Sequence, residues 1–105
     1  MKFPAMIIYN VTLNVDEDIA SEWMEWMKQV HIPEVMETGV FTDYRICRVL
    51  AEEAGGFTYA VQYTCPDMDA YERYSTTFAP GLQAKTLSKY GSKIVAFRTL
   101  LEVLG

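Results

Sequence analysis

The chain has 105 residues, 50% hydrophobic and 22% charged, a balance that suits one folded domain and excludes a disordered chain. A formal net charge of −5 excludes the basic face that nucleic-acid phosphates require and fits poorly with anionic lipid. No apolar run is long enough to span a membrane, and the stretch from Ala5 to Val15 is broken by Asn10, Thr12 and Asn14, so it does not read as a secretion signal; the cytoplasm is the default location.

The first element is a strand from Met6 to Val15, with Ile7, Tyr9, Val11, Leu13 and Val15 on an apolar face and Ile8, Asn10, Thr12 and Asn14 on the other. Asp16 is placed to cap a helix, with Glu17 and Asp18 in the first turn, where the helix dipole favours carboxylates. Ile19, Trp23, Trp26, Met27 and Val30 then recur at helical spacing as far as His31. Pro33 predicts a break or a new first turn after His31, Glu34 to Thr38 a short extra turn, and Gly39 a left-handed exit. Phe41 to Ala51 and Phe57 to Cys65 read as a hairpin folded about Ala54-Gly55. A second helix starts near Asp67 and presents Met68, Tyr71, Tyr74 and Phe78 to the core. Pro80-Gly81 interrupts it, and Leu82, Leu87 and Tyr90 resume the pattern up to Gly91. The last strand runs from Ile94 to Val103, with Val95, Phe97, Thr99, Leu101 and Val103 assigned to the helix-facing side.

The order β-α-β-β-α-β predicts an α+β, ferredoxin-like domain over residues 1–105, a four-stranded antiparallel sheet with both helices on one face. The other face then carries Ile8, Asn10, Thr12 and Asn14, Thr58, Ala60, Gln62 and Thr64, and Ile94, Ala96, Arg98, Leu100 and Glu102. That mixture is more apolar than a solvated face needs, which predicts a homodimer formed sheet to sheet as an α+β barrel.

Chemistry is sparse. His31 is the only histidine and the one side chain whose ordinary titration falls near neutral pH. It could serve as a general base beside a pocket, or as a histidine at a helix C-terminus bonded to the last carbonyls. Glu34 and Glu37 fit an exposed turn better than an acid–base pair. Tyr9, Tyr59, Tyr63, Tyr71 and Tyr74 could line a ligand pocket or simply fill the core. Arg45, Arg48 and Arg98 fall inside strands, where Arg98 could pair with Glu102 or clamp a carboxylate ligand. Cys47 and Cys65 would not meet across the hairpin and read as reduced, buried, apolar residues. One histidine makes no dedicated metal site, and Gly55-Gly56 is a turn with no helix after it, so neither metal nor phosphate-bearing cofactor is expected.

The segment His31-Ile32-Pro33-Glu34-Val35-Met36-Glu37-Thr38-Gly39-Val40-Phe41, with Val61-Gln62-Tyr63 and Phe97-Arg98-Thr99-Leu100-Leu101-Glu102-Val103, resembles a small bacterial domain family of unknown function met mainly in Bacteroidetes. That family is similar in fold to the dimeric α+β barrels, which include antibiotic-biosynthesis-type monooxygenases and muconolactone isomerases. The resemblance implies the fold and a dimer and carries over no catalytic residue. Two functions follow as expectations. One is a binding protein that holds a small hydrophobic or aromatic ligand between sheet and helices by Trp23, Met27, Tyr63 and Arg98. The other is a cofactor-independent monooxygenase or isomerase with His31 as base and Arg98 or a tyrosine hydroxyl steadying an anion. A dimer serving purely as an interaction scaffold is the third.

Overall fold

Strand β1 (Ile7–Asp16) occupies the middle of the sheet, and its alternation is realised in burial: Ile7, Tyr9, Leu13 and Val15 are buried, and the residues between them only partly so. The structure is a computed structural model that describes residues 5–51 and 56–105. The chain continues through α1 (Ala20–Trp26), a π-helical turn (Met27–His31), α2 (Ile32–Glu37), β2 (Asp43–Arg48), β3 (Gly56–Cys65), α3 (Met68–Thr77), α4 (Ala79–Tyr90) and β4 (Ile94–Glu102). The sheet is antiparallel, in the order β2-β3-β1-β4, and the fold is α+β and ferredoxin-like. The predicted turn at Ala54-Gly55 lies outside the described residues.

The first helical arm does not stop at His31. Chain direction is kept from Ala20 to Glu37, because the π turn widens the backbone and hands Ile32 N–H to the Met27 carbonyl. Pro33 then falls in the first turn of α2, where its missing N–H is no loss and its ring escapes the carbonyl one α-turn back. His31 is therefore mid-arm and not at a helix end, which removes the reading of it as a C-terminal cap. The arm ends where Thr38 Oγ1 donates to the Val35 carbonyl at 2.7 Å and Gly39 takes a φ of 76°, the left-handed exit that glycine allows.

Three other local expectations change. Asp16 makes no side-chain cap; it ends β1 before a 3₁₀ turn, whereas Asp67 does cap α3, accepting from Ala70 N–H at 2.8 Å. Helix α3 ends at Thr77, ahead of Pro80-Gly81, which lie in the first turns of α4, where proline is tolerated. Met68, Leu87 and Cys47 are exposed, whereas Cys65 is buried and both thiols are free. Cys47 sits opposite Ala60, on the sheet face away from the helices, which is why it is not covered.

The register of β4 reverses its predicted faces. Residues paired across antiparallel strands share a face. Tyr9 pairs with Leu100, Val11 with Arg98, Leu13 with Ala96 and Val15 with Ile94. The helix-facing set is therefore Ile94, Ala96, Arg98 and Leu100. The open face receives Val95, Phe97, Thr99 and Leu101, the first two 53% and 67% exposed. Beside that apolar row, β1 and β3 present polar residues that bond one another, with Gln62 Nε2 donating to Asn10 Oδ1 at 3.2 Å and Asn10 Nδ2 to Thr12 Oγ1 at 3.0 Å.

Helix α4 is fastened to the first arm by lysines one turn apart. Lys85 meets Glu34 at 2.8 Å, Lys89 reaches Glu22 at 4.0 Å, and Lys93, just beyond the helix, meets Asp18 at 2.6 Å. All are exposed enough that alignment of the two elements, more than stability, is what they supply.

Candidate functional site

The reversal of β4 brings Arg98 under the helices, and with it a site assembles. A cavity of about 160 Å³ lies between the β1–β4 side of the sheet and the helices, with Tyr9, Met27, His31, Tyr63, Tyr74 and Arg98 in its wall. The apolar part of the lining comes from Val11, Leu13, Val61 and Leu82. Four residues singled out in the sequence, His31, Met27, Tyr63 and Arg98, thus meet at one cavity. Trp23 does not: it is fully buried against Tyr59, ring centroids 5.0 Å apart, with its indole N–H unpartnered. Arg98 forms no ion pair with Glu102; its Nε donates instead to the Tyr9 hydroxyl at 3.1 Å, a bond that orients the guanidinium toward the cavity wall.

Tyr9 is the hub of this wall. Its ring lies against Phe41, Tyr63, Tyr71 and Tyr74 at centroid separations of 6.1, 6.0, 5.4 and 5.7 Å. Burial raises the Tyr9 phenol above its ordinary pKa against the opposing pull of Arg98, and burial raises Tyr63 and Tyr74 as well. All three are neutral hydroxyls at physiological pH, able to donate a hydrogen bond. Tyr71 packs at a tilt against Tyr9 without lining the cavity, and Tyr59 faces a separate shallow groove beside Met24 and Phe57.

His31 is set into the cavity wall by the π turn, its ring stacked on Trp26 at 5.1 Å and 24°. Desolvation lowers its pKa below 6.5; Glu34 pulls the other way, and the Arg98 and Lys85 charges add to the lowering. At neutral pH the imidazole is uncharged and has a nitrogen able to accept a proton. The cavity thus combines one neutral base, one cation and several hydroxyl donors around an apolar interior. Among the described residues no group of three or more His, Cys, Asp or Glu side chains is placed to hold a metal ion.

Sequence reading did not single out the contribution of α4, from which Leu82, Gln83 and Thr86 reach the cavity. The signal was present, because Leu82 and Thr86 are four residues apart and share one helical stripe.

The described helices include none long and apolar enough to cross a membrane. A family described as a domain of unknown function (DUF4286) matches residues 6–104. Among curated proteins none matches. The chain is similar in structure to a candidate antibiotic-biosynthesis monooxygenase from Bacillus cereus, at 16% identity and a TM-score of 0.67, over 96% of this chain and 95% of the other. It is similar to SnoaB, a cofactor-independent oxygenase from Streptomyces nogalater, at 12% identity and 0.62, over 96% and 95%. A dimeric ferredoxin-like protein from an uncultured marine organism is similar at 14% identity and 0.61, over 96% and 97%. At these identities the likeness concerns the fold alone.

Proposed function

The chain belongs to the DUF4286 family of unknown function, and we propose that within it the protein is a homodimer that holds a small, largely apolar ligand between sheet and helices. The observation that carries this reading is the cavity of about 160 Å³, apolar inside, with His31 and Arg98 in its wall. A concave, mostly apolar cavity with a few converging polar groups is the default binding-site feature of a domain. A thermal-shift titration with phenol tests it. Phenol should raise the melting temperature of the wild-type protein and leave Ala96→Leu unmoved, since the longer side chain occupies the cavity from β4; equal shifts in both would sink the reading.

The dimer rests on the open sheet face. Val95, Phe97 and Leu101, interrupted only by Thr99, present an exposed and mostly apolar row along an edge strand, which a monomer rarely leaves bare. Its flanking polar residues already bond one another, so covering them strands few donors. The fold's likeness to a dimeric ferredoxin-like protein supports the same arrangement. Sedimentation at micromolar concentration should give twice the 12.0 kDa chain mass, and Phe97→Asp should return the monomer.

A second reading is favoured by one observation, the neutral imidazole beside a cation. His31 could take a proton from an acidic C–H or O–H of the ligand while Arg98 and a tyrosine hydroxyl stabilise the anion left behind. Return of that proton to another carbon completes an isomerisation with no change in composition. His31→Ala would then abolish turnover while the phenol-induced shift remains.

A further inference from the structure

We infer that the ligand is a monoanionic acid built on a single ring, its carboxylate held by Arg98 at the β4 edge and its ring lying in the apolar interior of the cavity. The inference rests on the ligand-binding reading above and adds size and charge to it.

Size comes first. A cavity of about 150 Å³ lined by aliphatic and aromatic side chains accepts one benzene ring. The cavity here is about 160 Å³, so it holds one six-membered ring and leaves no room for a second fused to it. The walls that would meet that ring, Val11, Leu13, Val61 and Leu82, offer shape and no polar bond.

Charge comes from a contrast around the rim. The lysines of the neighbouring α4 segment are all matched to carboxylates, Lys85 to Glu34, Lys89 to Glu22 and Lys93 to Asp18. Arg98 is not. Among the described residues it forms no ion pair, and its Nε is fixed by the Tyr9 hydroxyl at 3.1 Å. Fixing Nε aims the planar fork and leaves its terminal nitrogens to donate in parallel to two carboxylate oxygens, the geometry for which arginine is suited and lysine is not. Among the described residues Arg98 is the only cation lining the cavity, so one negative charge matches it.

Isothermal titration of the full chain with benzoate, benzamide and 1-naphthoate tests both parts. Benzoate should bind at least tenfold more tightly than benzamide, which has the same shape without the charge, and 1-naphthoate should not bind. Arg98→Met should remove the preference for benzoate, and Arg98→Lys should restore only part of it; Arg98 is exposed, so both variants should fold, which thermal melts check. Equal affinity for benzoate and benzamide, or an unchanged preference in Arg98→Met, overturns the charge. Equal affinity for 1-naphthoate and benzoate overturns the size. Benzamide binding without a preference for benzoate leaves the ligand-binding reading intact, whereas failure of all three compounds and of phenol overturns both.

Discussion

Strands β3 and β4 flank the same central strand, yet the helices treat them differently. On β3 the helix-facing residues Val61, Tyr63 and Cys65 are 1%, 2% and 0% exposed. On β4 the residues paired with the same β1 partners are open: Arg98 and Glu102 are exposed and Leu100 is 40% exposed. The helical layer is thus displaced toward β3. Around Trp23 the covered part is closely packed, with Trp23 against Tyr59 and Val35 fully buried in the same core. The part it leaves short becomes a cavity with a charged rim. One sheet face therefore contains a region built for stability around Trp23 and a region free to bind, which reaches from Val61 and Tyr63 on β3 across β1 to Ala96 and Arg98 on β4.

The division predicts opposite mutational behaviour on the two sides. Trp23→Ala, on the packed side, should cost about 3–5 kcal/mol, because the largest fully buried side chain is deleted where neighbours cannot collapse. Urea unfolding measures it, and a loss under about 1 kcal/mol would mean that the packed side is not the stabilising one. Ala96→Leu, on the open side, should change stability by less than about 1.5 kcal/mol, since the added carbons enter existing space. Its effect belongs to binding, as the phenol titration reads. The contrast between the two substitutions is the sharpest test of the division.

His31 brings pH into the same comparison. Its folded pKa lies below the unfolded value of 6.5, chiefly through desolvation. Between those two values the unfolded chain binds more protons than the folded one, so this group makes stability fall as pH drops below about 6.5; above it, both states are neutral and it contributes no slope. His31→Gln should flatten the stability profile in that acid window and leave the profile above neutrality unchanged. Parallel profiles for wild type and variant would show that the open side does not desolvate the imidazole.

How much of this could be read from sequence depended on whether only one face of an element was apolar. Strand β1 alternates apolar with polar residues, so its inward face was legible, as was the element order that fixes the fold. Strand β4 is apolar on both faces, Val95, Phe97 and Leu101 on one and Ile94, Ala96 and Leu100 on the other, so a period of two could not choose between them. The wrong choice put Arg98 on the open face, away from His31, and hid the site. Pro33 was legible as the start of a new first turn after His31, which α2 is, but the π turn that joins it to the preceding helix was not, because nothing in residue spacing announces one. Met27 and His31, one turn apart, and Tyr63 in its strand did reach the cavity, because helix and strand period alone set their side. Trp23, four residues before Met27, packs down onto β3 instead, in the region the displaced helices cover.

The smallest expected effect tests whether the ion pair at the cavity's edge is coupled to its base. Lys85 and Glu34 join α4 to α2 at 2.8 Å, but their side chains are 63% and 31% exposed, so Lys85→Met should cost at most about 0.5 kcal/mol. The imidazole should respond more clearly than the fold. The charged groups acting on His31 are Glu34 from α2, which raises its pKa, and Arg98 from β4 and Lys85 from α4, which lower it. Removing Lys85 takes away a lowering charge, so the His31 pKa should rise toward 6.5. Glu34→Gln should move it the other way. An NMR titration of the single histidine reads both shifts directly, since no other imidazole signal overlaps it. Opposite displacements of small size would establish that α2 and α4 tune the base across the cavity. Coincident titrations for both variants and wild type would confine the pair to aligning two helices and leave desolvation alone to set the proton affinity of His31.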